Sequence, residues 1–106
     1  MSDWLFQPED LKQRLGDERY TEPLRHGTMR LGLYAPRGED SQTPHTQDEL
    51  YVVLSGSGRF IKNGEERPFA VHDAIFVKAG ADHRFVDFTD DFAAWVIFWG
   101  PRGGER

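Results

Sequence analysis

Short runs of strand-forming residues, separated by glycine-containing turns, occur along most of this sequence. Residues 28–34 alternate between apolar and polar side chains, and the runs 58–62 and 66–71 flank the dipeptide Asn63-Gly64. Asn-Gly is the strongest short hairpin signal, because both residues tolerate a positive φ. Further strands are expected at 51–53, 75–77, 83–88 and 93–99. Seven to nine short strands at this spacing predict an all-β sandwich or barrel.

A single short helix is predicted ahead of the strands. Pro8 suits a first helical position and Gly16 supplies a stop. Leu11 and Leu15 are four residues apart and therefore share one face, which we expect to pack on the outside of the domain. The chain then divides into an N-terminal helical extension at 1–20, a single barrel domain at 21–100 and a loose tail at 101–106.

Composition limits the number of domains and excludes several kinds of partner and metal site. The 106 residues suffice for one domain with one core. A net charge of −5 with scattered lysines and arginines argues against a nucleic-acid partner. The absence of cysteine excludes disulfides and thiolate metal sites. Neither a signal peptide nor an apolar run long enough to span a bilayer is present, so we expect a cytoplasmic protein without a membrane partner.

His45, Glu49 and His83 are residue types that bind metal ions, and their spacing limits how they can meet. On one continuous strand, His45 and Glu49 would lie roughly 13 Å apart, too far for one ion. Pro44 and the β-branched residues after Glu49 argue against a helix. A tight turn at 46–48 would instead place His45 at one strand end and Glu49 at the next strand start, about 5 Å apart. His83 also begins a strand and could complete a two-histidine, one-carboxylate set, although lone histidines more often have structural roles.

The same stretch resembles the first motif of the cupin superfamily, which runs Gly, five residues, His-x-His, three or four residues, Glu, six residues, Gly. Glu49 and Gly56 match the end of that motif at the same spacing. His45 falls on the second motif histidine, whereas Thr43 stands where the first would be. Gly38 lies one residue away from the opening glycine.

The second cupin motif runs Gly, five residues, Pro-x-Gly, two residues, His, three residues, Asn, and it is matched in part. Gly80 and His83 are present at the required positions. His72, Lys78 and Asp87 replace the motif glycine, proline and asparagine.

Residues 28–99 carry the resemblance, which implies a cupin-type jelly-roll barrel, or double-stranded β-helix. It further implies a divalent metal ion (iron, manganese, zinc or nickel) held by His45, Glu49 and His83. A register that makes His45 the first histidine and Gln47 the second leaves Glu49 three residues too close. The candidates for an additional ligand at the incomplete position are Gln42, Gln47, Thr43 and water.

Tyr51 and Phe85 lie two residues beyond Glu49 and His83, so each points into the same interior as its neighbouring ligand. Core packing is the simpler interpretation, with a share of the pocket lining as the alternative. Arg30 lies on the polar side of its strand, where it is either a surface residue or a contact for an anionic substrate.

Leu50, Val52 and Leu54 lie on the strand face opposite Glu49 and need a cover, either the helix or a second subunit. Because cupins often form dimers, we expect a homodimer.

Two functions remain open. One is a metal-dependent enzyme acting on a small organic molecule, with dioxygenase or isomerase chemistry as known among cupins. The other is a non-catalytic module that binds a small molecule or a metal ion.

Overall fold

The computed structural model describes residues 4–40 and 42–106, so residues 1–3 of the predicted extension lie outside the described part. In these described ranges one helix precedes eight strands, as the spacing of the apolar runs predicts. The elements are α1 (Pro8–Leu15), β1 (Tyr20–His26), β2 (Met29–Tyr34), β3 (Asp48–Ser55), β4 (Gly58–Lys62), β5 (Glu65–Phe69), β6 (Ala74–Val77), β7 (His83–Val86) and β8 (Ala93–Trp99). Within the described residues, no helix is long and apolar enough to cross a membrane.

The strands form two antiparallel sheets that face each other. The larger sheet has the order β1-β2-β8-β3-β6 and the smaller has the order β5-β4-β7. Their inner faces enclose one apolar core, formed by Tyr51, Val53, Phe60, Phe69, Val77, Phe85, Phe92, Ala94, Val96 and Phe98. The predicted all-β fold with a short N-terminal helix is confirmed.

Helix α1 has the boundaries that its sequence signals predict. Pro8 is its first residue, and Gly16 ends it with a φ of 56°, a conformation that glycine adopts without strain. Leu11 and Leu15 are buried against Leu33 and Ala93 on the outer face of the larger sheet. The helix therefore covers one end of that face.

Strand β1, at the edge of the larger sheet, was not predicted. Pro23 lies inside it, and proline is tolerated in strands mainly at edges and bulges because it cannot donate to the ladder. The register between β1 and β2 shifts between Thr21 and Leu24, on either side of this proline. The strand also lacks a clear alternation of buried and exposed residues, so its sequence carries no period-two signal.

The hairpin between β4 and β5 has the predicted turn. Asn63 and Gly64 have φ values of 50° and 85°, the positive values that a two-residue hairpin of type I′ requires. The register pairs Lys62 with Glu65 directly across the turn. The hairpin prediction is therefore confirmed, and it fixes which residues of β4 face the core.

The tail at 101–106 is anchored to the barrel, in contrast to the predicted loose segment. The backbone N–H of Gly103 donates to the carbonyl oxygen of Thr46 at 2.6 Å. The N–H of Glu105 donates to the buried carboxylate of Asp48 at 2.9 Å. These partners come from the start of β3 and the loop before it, which are distant in sequence, so local composition could not indicate the contact.

The outer face of the larger sheet carries apolar side chains that α1 covers only in part. Strand β8 is apolar on both faces: Ala94, Val96 and Phe98 face the core, and its remaining residues face outward. One outward row runs in register across four strands and consists of Leu31, Ile97, Leu50 and Phe76. Phe76 is 48% exposed. Helix α1 packs near Leu54 instead, at the other end of the face.

Candidate metal centre

Glu49 is a fully buried carboxylate in the middle of the larger sheet. It is the second residue of β3 and pairs with Val77 on β6 and Phe98 on β8, so its backbone is fixed on both sides. Its exposed fraction is 0%. Among the described residues, no partner satisfies hydrogen-bond geometry at either carboxylate oxygen. A buried charge without such partners is costly, so this arrangement calls for a cation or a proton nearby.

His83, the first residue of β7, places a ring nitrogen against that carboxylate. Its Nε2 lies 2.9 Å from Oε1 of Glu49. Its Nδ1 lies 2.9 Å from the carbonyl oxygen of Ala81, which can only accept, so Nδ1 carries the proton. In the neutral ring, Nε2 therefore presents a lone pair to the lone pairs of Glu49. Only a proton or a metal ion between the two atoms makes this contact favourable.

The pKa of His83 reflects the same contact. Burial of the ring on its own would lower the pKa, but the close contact with Glu49 and the hydrogen bond to the carbonyl of Ala81 raise it above its ordinary value. The negative charge of Glu49 acts in the same direction. In the absence of a metal ion, a proton is thus favoured at Nε2 of His83.

His45 completes the group from a loop rather than from a strand end. The strand predicted to end at His45 is absent, because residues 42–45 have no regular structure, whereas the predicted change of direction after His45 is present. The chain bends at Thr46, and the carbonyl of His45 accepts a hydrogen bond from the N–H of Gly80 at 2.8 Å. Its Nε2 then lies 3.9 Å from Oε1 of Glu49. Burial, followed by the nearby His83, lowers the pKa of His45 despite the opposing charge of Glu49, so its ring is neutral and available as a ligand.

One ligand atom from each of His45, Glu49 and His83 lies within 4.8 Å of the others. An ion bound at about 2.1 Å to each ligand separates neighbouring ligand atoms by about 3.0–3.4 Å in octahedral or tetrahedral geometry. The separations of 2.9 and 3.9 Å on either side of the Glu49 oxygen bracket these values. The donor set of two imidazoles and one carboxylate thus fits a divalent metal ion.

Of the three candidate additional ligands, Gln42 is in contact with this group. Its Nε2 donates to the carboxylate of Asp40 at 2.8 Å, which fixes the orientation of the amide because a carboxylate only accepts. Its Oε1 is therefore turned towards the site, 3.2 Å from Nε2 of His45. The same oxygen accepts a hydrogen bond from the hydroxyl of Tyr51 at 2.8 Å.

The other two candidates are placed differently. Thr43 is exposed to solvent. Gln47 donates from Nε2 to the carbonyl oxygens of Thr28 and Gly100, each at 2.9 Å. Its Oε1 accepts from Nε of Arg30 at 3.0 Å. The side chain of Gln47 thus orients a neighbouring arginine.

Tyr51 and Phe85 are both 1% exposed, and their rings pack edge to face with centroids 4.9 Å apart. Tyr51 also reaches the site, since its hydroxyl lies 3.3 Å from Nε2 of His83. Burial, followed by the charge of Glu49, raises the pKa of Tyr51, so its phenol remains neutral at physiological pH. Phe85 belongs to the core beneath the site.

Asp40 is a site-supporting residue that the sequence analysis missed. It is 8% exposed and accepts hydrogen bonds from the hydroxyl of Tyr34, from both nitrogens of Gln42 and from the N–H of Phe85. It therefore ties the loop before β3 to β2 and β7. Asp40 lies in a stretch whose charged composition is typical of a solvated loop, so no sequence signal distinguished it.

A cavity of about 210 Å³ opens beside His45. Its walls include Tyr20, Arg30, Tyr34, Gln42, Tyr51 and Phe98. A larger cavity of about 360 Å³ lies between β4, β5 and β6, but none of the three metal-ligand candidates lines it. Of these two cavities, the smaller is therefore the one that reaches the metal-ligand candidates.

Comparison with known proteins agrees with the resemblance to cupins that the sequence motifs indicate. Residues 30–99 match the family model described as the cupin domain. The uncharacterized protein SCO3923 of Streptomyces coelicolor is 34% identical over 94 residues, which cover 87% of this chain and 90% of that relative.

Solved structures share the fold at lower identity. KdgF from Halomonas sp. has a TM-score of 0.67 and 16% identity, with 78% of this chain and 80% of that chain covered. The DMSP lyase DddQ from Ruegeria pomeroyi has a TM-score of 0.68 and 20% identity, with 76% and 46% covered. A Cupin 2 conserved barrel domain protein from Salinispora arenicola has a TM-score of 0.65 and 19% identity, with 76% and 74% covered. With the matched family model, the motif residues and the two-sheet barrel all in agreement, this chain belongs to the cupin family.

Proposed function

We propose that this cupin holds one divalent metal ion between His45, Glu49 and His83 and binds a small organic molecule at that ion. The observation that carries the proposal is the buried carboxylate of Glu49. It faces the Nε2 lone pair of His83 and has no hydrogen-bond partner among the residues that the structure describes. A divalent cation compensates the buried charge and binds both lone pairs at once. Iron, manganese, zinc and nickel are the candidate ions for such a nitrogen and oxygen ligand set.

Gln42 is the proposed additional ligand, in place of the histidine that Thr43 replaces in the motif. Its amide oxygen is held in position by Asp40 and lies 3.2 Å from Nε2 of His45, a separation expected for neighbouring ligands of one ion. A neutral amide oxygen binds more weakly than an imidazole does. Gln42 is therefore the ligand that an incoming substrate oxygen would most easily displace.

The proposed reaction class is oxygenase-like or isomerase-like chemistry on the bound molecule. The metal ion would supply Lewis acidity or oxygen activation in its open positions. The chain itself supplies a neutral phenol at Tyr51, within hydrogen-bond distance of His83 and Gln42, and a cavity that admits the substrate beside His45. One structural neighbour is by its name a lyase, so the chemistry attached to this fold varies.

A non-catalytic binding module is the second candidate function. The exposed Thr43 at the first motif-histidine position favours it, because that position contributes no strong ligand to the ion. Turnover assays on metal-loaded protein, with oxygen consumption as one readout, discriminate between the two candidates.

The subunit organisation that we propose is a homodimer formed through the outer face of the larger sheet. The row of Leu31, Ile97, Leu50 and Phe76 is continuous in register and only partly shielded in the single chain. A contiguous apolar face of this kind usually marks an interaction site. Light scattering after size exclusion should give twice the chain mass at micromolar concentration.

Metal content tests the proposed centre directly. We expect roughly one ion per chain, by elemental analysis, after dialysis against iron, manganese, zinc or nickel. His45→Ala and His83→Ala should lose that ion, whereas His26→Ala, which changes an exposed histidine on β1, should retain it. A native protein that takes up none of the four metals would refute the metal centre.

A further inference from the structure

The cavity beside the candidate metal centre is lined by the positively charged side chain of Arg30, which is held in a fixed position. Arg30 projects from β2 towards the barrel interior, opposite Phe98 on β8. Its guanidinium carbon lies 4.3 Å from the centroid of the Phe98 ring. The ring of His45 packs edge-on against the same phenylalanine, with centroids 5.0 Å apart. The guanidinium and a proposed metal ligand are therefore neighbours on one aromatic ring, and both line one cavity.

The charge of Arg30 is only partly compensated by its surroundings. Its Nη1 lies 3.1 Å from Oε1 of Glu22. The other oxygen of Glu22 pairs with Nε of Arg25. One carboxylate thus serves two arginines, and the group of three carries a net charge of +1. Asp40, which holds the wall residue Gln42, accepts four hydrogen bonds from other groups and makes no ion pair with Arg30 among the described residues.

Arg30 also has hydrogen-bond donors to spare. A guanidinium offers five N–H groups in a planar fork. Nε donates to Gln47 and Nη1 donates to Glu22. Within the part of the chain that the structure describes, Nη2 has no hydrogen-bond partner. These two contacts and the stacking on Phe98 hold the guanidinium in place before any ligand arrives.

The size of the cavity limits the ligand. Its 210 Å³ lies below the range of roughly 300–1,000 Å³ that is typical of pockets for drug-sized molecules. A metal ion bound to two neutral histidines and one carboxylate keeps a net charge of +1, so the cavity would be positive at two points. A small anion with oxygen atoms at both ends matches that pattern.

We propose that the cavity binds a small carboxylate, which places its carboxylate group on Arg30 and a second oxygen-bearing group at the metal ion. This inference rests on the proposed metal centre and names the substrate class for it. Arg30 acts as the specificity-determining residue, because a planar guanidinium recognises a carboxylate through paired hydrogen bonds.

Calorimetric titration of the metal-loaded protein with malonate, succinate and glutarate tests this proposal, with the neutral diamide of each acid as the control ligand. At least one dicarboxylate should bind, and its diamide should bind much more weakly. Arg30→Gln should weaken dicarboxylate binding roughly ten- to hundredfold, as expected for the loss of charged hydrogen bonds. Arg67→Gln is the control, because it changes an exposed arginine on β5 that pairs with Glu65 and does not line the cavity. The affinity of this variant should stay within about threefold of the native value.

Metal content is measured on every sample, so that the two proposals can fail separately. If Arg30→Gln keeps its metal ion and loses dicarboxylate binding, the proposal is supported. If the protein is metal-loaded but binds acids and diamides equally, or if Arg30→Gln binds dicarboxylates as the native protein does, the carboxylate proposal is overturned while the metal centre stands. If the native protein takes up no metal ion, both proposals are overturned.

Discussion

Replacement of Glu49 by glutamine should stabilise the metal-free protein at a pH high enough to leave His83 neutral, and it should abolish the response of the protein to metal. The carboxylate is 0% exposed, and Nε2 of His83, which lies 2.9 Å from it, carries a lone pair when the ring is neutral. A glutamine of the same shape could donate from its amide to Nε2 of His83, which replaces a buried charge with a neutral hydrogen bond. A buried polar group without a partner costs about 1–3 kcal/mol, and more when it is charged, so we expect a gain of about 1–2 kcal/mol from this exchange when His83 is neutral.

Urea denaturation and thermal melting of chelator-treated protein, at a pH well above the raised pKa of His83, measure this effect. For a domain of about this size, a gain of 1 kcal/mol raises Tm by about 4–8 °C. Metal at about one hundred times its Kd should then stabilise the native protein by about 2.7 kcal/mol and leave Glu49→Gln unchanged. The exposed Glu65→Gln serves as the control and should change stability by less than about 0.5 kcal/mol. If Glu49→Gln is less stable than the native protein without metal at this high pH, the carboxylate is satisfied in the fold and the reasoning is wrong.

Three further predictions concern the pH dependence, the cavity wall and the outer sheet face. Because a proton competes with the ion at the raised pKa of His83, metal-induced stabilisation should be larger at about pH 8 than at about pH 6. In the metal-free protein the sign is opposite: the contribution of this histidine to stability is present below its ordinary pKa of 6.5 and is lost as the pH rises through the raised value. Equal metal-induced Tm shifts at both pH values would contradict this competition. A Cβ at position 32 would lie 2.3 Å from the ring of Tyr20, so Gly32→Ala should displace that ring, cost about 1–3 kcal/mol in urea denaturation and alter dicarboxylate affinity without loss of metal. Unchanged stability together with unchanged affinity would show that the ring does not form this wall. Phe76→Lys should convert the proposed dimer to a monomer in light scattering, and a native protein that is already monomeric would exclude that interface.

Local sequence signals predicted those parts of the fold that depend on neighbours in the chain. Pro8 and Gly16 bound the helix as expected, and Asn63-Gly64 forms the expected hairpin turn. The close approach of Glu49 and His83 agrees with the motif spacing, although they come from different sheets. These positions have backbone or ligand requirements that few residue types satisfy, which is why their identity is informative.

Other features depend on contacts that the sequence pattern does not encode. The two faces of β8 are equally apolar, so only packing determines that Val96 and Phe98 face the core. By composition, Asp40 resembles a solvated loop residue. In the fold, the hydroxyl of Tyr34 and the N–H of Phe85 donate hydrogen bonds to it. His45 meets Glu49 through an irregular loop, because contacts from distant segments hold that loop in place.

The anchored tail has a practical consequence for handling this protein. Gly104 has a φ of 92°, and a Cβ there would lie 2.8 Å from a carboxylate oxygen of Asp48, so the chain end fits tightly against the first residue of β3. The backbone N–H of Gly103 donates a hydrogen bond to the carbonyl oxygen of Thr46, the residue next to His45. A purification tag or fusion partner joined to Arg106 would therefore pull on the loop that positions a proposed ligand. Affinity measurements are best made on protein with its tag at the other terminus, and a deliberate C-terminal fusion offers a way to tune metal affinity without touching a ligand.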